Sequence, residues 1–360
     1  MRNDFWKNKN VLITGHTGFI GSWLAIWLQK MGAQITGLSI DYGSSKGIYN
    51  LTNLSKTIVD WRVDVTDYDT VKKVFNKEDI DIIFHLAAQP SALESLNNPV
   101  STYEVNLMGT LSILEAMRNK KRKMACVFIT ADTIYDNTDN LWGCREIDAL
   151  GGDDPFSSSK TCCEVLINSY RQSFFNPLDY KQHLKSIGSA RTSYLAGGGD
   201  WTTGRIIPDL IRAHETMSSV ILKGSSTVVP CLHVLDAVHG YITLAEKLYE
   251  DPTSYCEAFN FGPDMQYSYT LKDIADKINE LLPTRLDFDI EDFENLSIPK
   301  RPLLDITKSN LKLGWRPYLT YGEALALTMD WYLNYKNASV LELCHKEIKW
   351  FVEKITPFNE

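Results

Sequence analysis

No uncharged stretch in this 360-residue chain approaches the roughly 20 residues that a membrane-crossing helix requires, and the start, Met1-Arg2-Asn3-Asp4-Phe5-Trp6-Lys7, has no apolar signal region. A cytoplasmic protein without membrane contact is expected. Basic clusters are short: Lys120-Lys121-Arg122-Lys123 reads as a solvated helix end, and a net charge of -8 gives no nucleic-acid footprint. The seven cysteines (Cys126, Cys144, Cys162, Cys163, Cys231, Cys256, Cys344) are odd in number and scattered, without Cys-x-x-Cys or paired-His spacing. That excludes a disulfide frame and a zinc site from the expectation. His16 and His233 likewise have no second ligand at metal spacing. Low-complexity runs and internal repeats are missing too. A composition of 44% hydrophobic and 23% charged residues is that of one large or two intimate globular domains.

What is there begins with a glycine-rich turn. Asn10-Val11-Leu12-Ile13-Thr14 is a short buried-strand run, followed by Gly15-His16-Thr17-Gly18-Phe19-Ile20-Gly21 and an amphipathic stretch from Ser22 to Met31. Strand, turn and helix in that order are the context a dinucleotide fingerprint needs. Gly15 permits the tight turn, Gly18 lets backbone approach a pyrophosphate at the helix amino terminus, and Gly21 lets the helix lie close. A second strand, Ala33 to Leu38, leads to Asp41, where a carboxylate would grip ribose hydroxyls and repel a 2'-phosphate. NAD is the expected cofactor.

Three more strand runs follow at helix-length intervals. Trp61 to Val65 carries Asp64-Val65, positioned to meet adenine; Ile80 to Phe84 leads into His85-Leu86-Ala87-Ala88-Gln89, whose small residues let the chain pass beside the cofactor; Ala125 to Thr130 precedes a substrate-facing loop. The expected fold class is α/β, a doubly wound parallel Rossmann sheet with a smaller, discontinuous α/β substrate domain.

The Gly-x-x-Gly-x-x-Gly spacing, His85-Leu86-Ala87-Ala88, Asn106 and Lys160 together resemble an extended short-chain dehydrogenase/reductase. The likeness sharpens through Gln89-Pro90, Asp154-Pro155, Ser157-Ser158-Ser159-Lys160, Ser173-Phe174-Phe175-Asn176-Pro177, Gly197-Gly198-Gly199-Asp200-Trp201, Asn260-Phe261-Gly262-Pro263 and Gly314-Trp315-Arg316-Pro317. From Phe5 to Tyr335 the chain is similar to the CDP-glucose 4,6-dehydratase family. The resemblance implies an NAD-linked cycle on a nucleotide sugar, CDP-linked in that family: oxidation at C4, loss of water across C5 and C6, and return of hydride to C6.

Against that pattern one oxygen is missing. The active-site helix of the family reads Tyr-x-x-x-Lys, and Asp154-Pro155-Phe156-Ser157-Ser158-Ser159-Lys160 puts phenylalanine where the phenol would take the substrate's proton. The family's Thr-Ser-Asp-Lys-x-Tyr is here Thr130-Ala131-Asp132-Thr133-Ile134-Tyr135, so Asp132 matches the acid while Ala131 replaces a hydroxyl and Thr133 a base. Losing one such group costs about 100- to 10,000-fold in rate, and groups acting as a unit do not multiply. The catalytic residues implied are Asp132 and Lys160; the cofactor residues are Gly15, Gly18, Phe19, Ile20, Gly21, Asp41, Asp64, Val65, Leu86, Ala87, Ala88, Asn106 and Lys160.

The substrate side departs as well. Where the relatives read Arg-Pro-Trp-Gln-His-Val, this chain has Val229-Pro230-Cys231-Leu232-His233-Val234, which removes a cation suited to phosphate; Tyr194 stands where the family has asparagine, and Ser91-Ala92-Leu93 replaces a segment that usually carries arginine. Gln89, Tyr194, Arg205 and Arg301 are the expected substrate contacts, with Arg191 and Arg212 as further cations for a diphosphate. Tyr135 and Tyr194 otherwise read as packing residues, as do Cys162 and Cys163.

The expected division is an NAD-binding domain over 1–190 plus about 230–260, a substrate domain over about 191–229 and 261–335, and a helical extension over 336–360. In the extension Leu341, Cys344, Ile348, Phe351 and Ile355 recur at helical spacing and give one apolar face that docks on its own domain. A homodimer is expected. Three functions fit: an altered nucleotide-sugar enzyme on a changed substrate or reaction, a catalytically inactive NAD-binding scaffold or partner subunit, and a residual CDP-glucose 4,6-dehydratase.

Overall fold

The structure, a computed structural model, describes residues 3–136, 142–264, 269–291 and 302–356. Its strands are β1 (Asn10–Thr14), β2 (Gln34–Ser39), β3 (Val59–Arg62), β4 (Ile82–His85), β5 (Met124–Ile129), β6 (Lys185–Thr192), β7 (Tyr194–Ala196), β8 (Val220–Lys223), β9 (Cys231–His233), β10 (Ala258–Phe261) and β11 (Phe288–Glu291). Seven of them form one parallel sheet in the order β10-β6-β5-β4-β1-β2-β3. The order reverses between β1 and β4, so a crevice lies outside the carboxyl ends of those two strands, where open α/β sheets bind ligands. Two parallel pairs, β7 with β9 and β8 with β11, stand apart from it.

The longer helices are α1 (Phe19–Lys30), α2 (Tyr68–Lys77), α3 (Gly109–Arg118), α4 (Pro155–Ser173), α5 (Ile206–Thr216), α6 (Val234–Glu250), α7 (Leu271–Leu281), α8 (Tyr321–Asn334) and α9 (Val340–Ile355). Among the described residues no helix is long and apolar enough to cross a membrane. The sheet is buried on both faces: one large apolar cluster takes in α1, α6, α8 and α9, and a second fills the face under α2, α3 and α4.

Three features differ from the sequence expectation. Helix α1 begins at Phe19, not Ser22, because Gly18 is its N-cap and the turn runs straight into the helix. β3 ends at Arg62, so Asp64 and Val65 follow the strand instead of closing it. In α9 the buried stripe is Val340, Cys344, Ile348, Phe351 and Ile355, while Leu341 is 36% exposed. Phe351 meets Trp27 of α1 edge-on at 5.6 Å between ring centroids.

β6 did not stand out from sequence, because Lys185-Ser186-Ile187-Gly188-Ser189-Ala190-Arg191-Thr192 reads as polar. All eight residues are buried. Apart from Arg191 Nε, its polar side chains find partners inside the protein: Lys185 Nζ donates to the carbonyls of Lys120, Arg122 and His183 at 2.7, 2.7 and 2.9 Å, and Ser186 Oγ donates to Leu248 O at 2.8 Å.

Candidate active site

The glycine turn is fixed by its own crowding. Gly15 sits at φ +73° with its backbone N–H donating to Leu38 O at 2.8 Å, and a Cβ there would come within 2.9 Å of Ala87 N. A Cβ on Gly21 would come within 2.3 Å of Gly15 O. These two positions admit no side chain, so turn, helix and β4 loop close into one cradle. Thr14 Oγ1 pins the β4 side, accepting from Leu86 N at 3.2 Å and Ala87 N at 3.1 Å and pairing with His85 Nδ1 at 2.8 Å. Burial, then the Lys160 charge, drives the His85 pKa down to about 3, so the ring is neutral and structural.

Asp41 and Asp64 stand past the ends of β2 and β3. Asp41 is exposed and its Oδ1 accepts from Gly43 N at 2.9 Å; Asp64 Oδ1 accepts from Thr66 N and Thr66 Oγ1 at 2.9 and 2.8 Å, and Val65 beside it is buried. The 41–47 loop is held by Lys46, whose ammonium pairs with Glu215 at 2.7 Å and whose carbonyl accepts from Trp201 Nε1 at 2.7 Å.

A cleft of about 350 Å³ opens at the carboxyl ends of β4, β5 and β6. It brings together Ala131, Asp132, Thr133, Phe156 and Lys160, and on its other walls Ile20, Leu86, Ala88, Tyr194 and Arg205. Phe156 and Lys160 are one helical turn apart on α4, so they share a face. That helix starts where its chemistry predicts: Asp154 is the N-cap, its Oδ1 accepting from Ser157 N at 3.0 Å, with Pro155 in the first turn. Ser157 Oγ donates to Asp154 Oδ2 at 2.6 Å and also meets Thr133 Oγ1 at 2.9 Å, tying the β5 loop to the helix start.

Lys160 is 8% exposed and its Nζ donates to Ile129 O at 3.2 Å; burial lowers its pKa. Asp132 is 1% exposed in the short turn Asp132–Ile134. Phe156 is half-buried, its ring packed on a small apolar cluster of Ala131, Ile134, Tyr135, Cys144 and Leu304. Arg205 ion-pairs with Asp200 at 2.9 Å and lies over the Tyr194 ring at 4.5 Å.

Several expected contacts are engaged inside the protein. The Gln89 amide donates to Ser91 O at 3.0 Å and Thr102 Oγ1 at 2.8 Å, and its oxygen accepts from Ser91 N at 2.5 Å, which shapes the loop after β4. Asn106 is 1% exposed on the π turn Glu104–Met108; its Oδ1 accepts from Gln89 N at 2.8 Å and its Nδ2 donates to Ser159 Oγ at 2.8 Å, so it joins the β4 loop to α4 from behind the cleft. Arg191 does not face a diphosphate site: it is buried against Glu164 at 2.9 Å and donates to Tyr135 Oη at 2.9 Å. Burial works against the Glu164 charge, but Arg191 and the Thr130 and Ser189 hydroxyls outweigh it and hold that carboxyl below its usual range. Arg212 donates to Trp201 O and Thr202 O and pairs with Asp209. Arg301 lies outside the described residues. Sequence reading passed over Glu164, one turn beyond Lys160 on the same face; that spacing was the available signal.

Sheet order, glycine cradle and cleft define a Rossmann-type protein with a ligand crevice at the switch point of its sheet. The family model for GDP-mannose 4,6 dehydratase matches residues 12–258. CDP-glucose 4,6-dehydratase of Salmonella typhimurium is 36% identical over 344 residues, covering 95% of this chain and 96% of that one. Among solved structures, dTDP-glucose 4,6-dehydratase of Streptomyces venezuelae with NAD bound superposes with a TM-score of 0.78 at 18% identity, over 90% of this chain and 97% of that one. UDP-glucose 4-epimerase of Thermus thermophilus in complex with NAD gives 0.77 at 23%, over 90% and 99%. The chain belongs to the nucleotide-sugar 4,6-dehydratase/epimerase family of extended short-chain dehydrogenase/reductases.

Proposed function

We propose that this protein binds NAD and modifies a nucleotide sugar with a rebuilt set of proton-handling groups, on a substrate or by a reaction changed from that of the CDP-glucose dehydratases. The observation that carries the reading is the pairing on one face of α4: Lys160 is kept and lines the cleft beside Phe156, with Ala131 and Thr133 across from it. NAD, when bound, supplies a hydride acceptor. Gly15, Gly18, Phe19, Ile20 and Gly21 would hold its pyrophosphate at the start of α1, Asp41 its adenosine ribose, Asp64 and Val65 its adenine, and Leu86, Ala87, Ala88 and Lys160 its nicotinamide end. Side chains at Gly15 and Gly21 would strike backbone atoms, so the turn closes tightly and leaves bare backbone at the start of α1, which fits such a group.

The chain's own chemistry is then thinner than the family's. A substrate hydroxyl losing hydride must also lose its proton, and phenylalanine has no atom to take it. Asp132, which lines the cleft together with the helix-capping Asp154, serves as acid and base, with the Lys160 ammonium stabilising negative charge on an oxygen nearby. Tyr194 and Arg205 would flank the nucleotide sugar. The scaffold reading draws on one observation, the packing of the Phe156 ring into an apolar cluster on the cleft wall.

A homodimer is part of the proposal. Val100 and Met108, on the helical run before α3, and Val165, on α4, are 70%, 45% and 61% exposed, an apolar surface suited to a second copy. A cytoplasmic setting suits seven cysteines that are all free. The division of labour proposed is a cofactor-binding sheet over 1–190 and about 230–260, covered by a substrate domain from about 191–229 and 261–335.

Small molecules copurifying with the protein test this. Mass spectrometry of the denatured supernatant is expected to find NAD(H) together with a nucleotide sugar. NAD alone favours the scaffold, and no dinucleotide, with none bound by calorimetry, sinks the proposal.

A further inference from the structure

With phenylalanine at position 156, one proton of the proposed reaction lacks the phenol that would take it. When a substrate hydroxyl is oxidised, its carbon gives up hydride to the acceptor that bound NAD supplies, and its oxygen must lose a proton. One residue further along α4, Ser157 is 2% exposed and stands between two oxygens. On one side is Thr133, from the short turn after β5; on the other is Asp154, the N-cap of the helix. All three residues line the cleft with Phe156 and Lys160.

Counting protons gives the direction of these bonds. Ser157 Oγ lies 2.6 Å from Asp154 Oδ2 and 2.9 Å from Thr133 Oγ1. A hydroxyl carries one proton and an ionised carboxylate none, so Ser157 donates to Asp154 and must accept from Thr133. The Thr133 proton is thus directed at Ser157, and its oxygen keeps lone pairs for a hydroxyl that meets it in the cleft. Both distances lie in the ordinary O–H···O range, and in such a chain each bond polarises the next. Capping alone does not call for Thr133, because Ser157 N already donates to Asp154 Oδ1 at 3.0 Å.

A second hydroxyl–carboxylate pair opens on the same cleft and serves as the comparison. Thr130, also in the lining, donates from Oγ1 to Glu164 Oε1 at 2.7 Å. Glu164 is 5% exposed; burial would raise its pKa, but Arg191 at 2.9 Å, with the Thr130 and Ser189 hydroxyls, holds it below the usual range. A carboxylate already matched by a guanidinium is a poor resting place for a proton. Asp154 differs on two counts. Its side chain accepts from Ser157 alone among the described residues, and it is half-buried, so a proton that arrives there can leave to solvent.

We propose, building on the reading of the cleft as an NAD-linked active site, that Thr133, Ser157 and Asp154 form a proton relay that stands in for the missing phenol. The substrate O–H bond breaks as Thr133 Oγ1 takes its proton; the Thr133 proton passes to Ser157 Oγ and the Ser157 proton to Asp154 Oδ2. The carboxylate ends as the neutral acid, and the substrate carbon, having lost hydride, becomes a carbonyl. Transient reduction of bound NAD in the full chain, followed by nicotinamide absorbance, tests this with CDP-glucose, UDP-glucose, dTDP-glucose and GDP-mannose as the probes. At least one probe is expected to reduce the cofactor, at a rate that bows downward as D2O replaces H2O because more than one proton moves. Thr133→Val, close in shape, should cut that rate by at least about 100-fold while calorimetric NAD binding and the melting temperature change little. Thr133→Ser keeps the hydroxyl and should retain most of the rate. Asp154→Asn still caps the helix, and should cut the rate and leave a straight isotope dependence in what remains. If a probe reduces NAD and Thr133→Val does so equally fast, or if the native isotope dependence is straight, the relay is overturned while the reading of the cleft stands. If NAD binds and no probe reduces it, the relay and that reading fall together.

Discussion

Two walls of one crevice carry different constraints. On the glycine-turn side each feature is dictated by crowding: side chains at Gly15 and Gly21 would strike Ala87 N and Gly15 O, and Thr14 fixes the facing loop. On the α4 side the scaffold is equally well made, with Asp154 capping the helix and Asn106 bridging it to the β4 loop, and on the proposed reading the positions that would move protons, Ala131 and Phe156, carry only hydrocarbon side chains. A backbone can be kept intact while its chemistry changes, because capping and packing do not depend on a phenol oxygen. Fold and cofactor cradle therefore travel together, and reaction type travels separately.

The sharpest way to break the contrast is at the crowded wall. Gly21→Val should destabilise the protein by about 3 kcal/mol and abolish dinucleotide binding, read by thermal melting and calorimetry. A variant that folds normally and binds NAD would show that the cradle is not set by this contact.

Comparable in its effect on stability is the buried pair behind the cleft. Arg191→Met leaves Glu164 charged and unpaired at 5% exposure, and a loss of about 3–5 kcal/mol is expected in chemical denaturation. Were Arg191 instead a diphosphate ligand, the loss would fall on nucleotide-sugar binding with stability little changed.

The chemical wall is sharpened by repair. Phe156→Tyr with Ala131→Ser and Thr133→Lys would install the groups that the family resemblance implies. If only those groups were lost, nicotinamide reduction should appear on adding CDP-glucose, recovering at least the roughly 100-fold that one acid/base group contributes. With Val229 and Tyr194 also changed, the expected outcome is silence with CDP-glucose and unaltered NAD binding.

A smaller effect separates burial from catalysis. Burial raises the Asp236 pKa to about 7 despite the two backbone donors it accepts. An acid whose folded pKa lies above its unfolded value destabilises when ionised. Its contribution is therefore most favourable below about pH 4 and is lost as pH rises toward 7. Asp236→Asn should flatten this slope and be more stable than the native chain at pH 8 by about 1 kcal/mol. Equal slopes in both proteins would refute the assignment.

How far the sequence spoke follows the same division. β1 and the glycine turn were readable because an apolar run followed by spaced glycines has few other meanings, and Asp154-Pro155 marks a helix start. β6 was hidden because Lys185 and Arg191 are buried polar residues whose partners come from distant segments. The side chains of Gln89 and Asn106 hydrogen-bond within the protein, a direction that residue identity does not encode.

The most direct measurement follows purified protein with CDP-glucose by NMR while its dinucleotide content is quantified on the same sample. The account predicts bound NAD(H) and no 4-keto-6-deoxy product at a family-like rate. Turnover near the median for enzymes, about 10 per second, would contradict it.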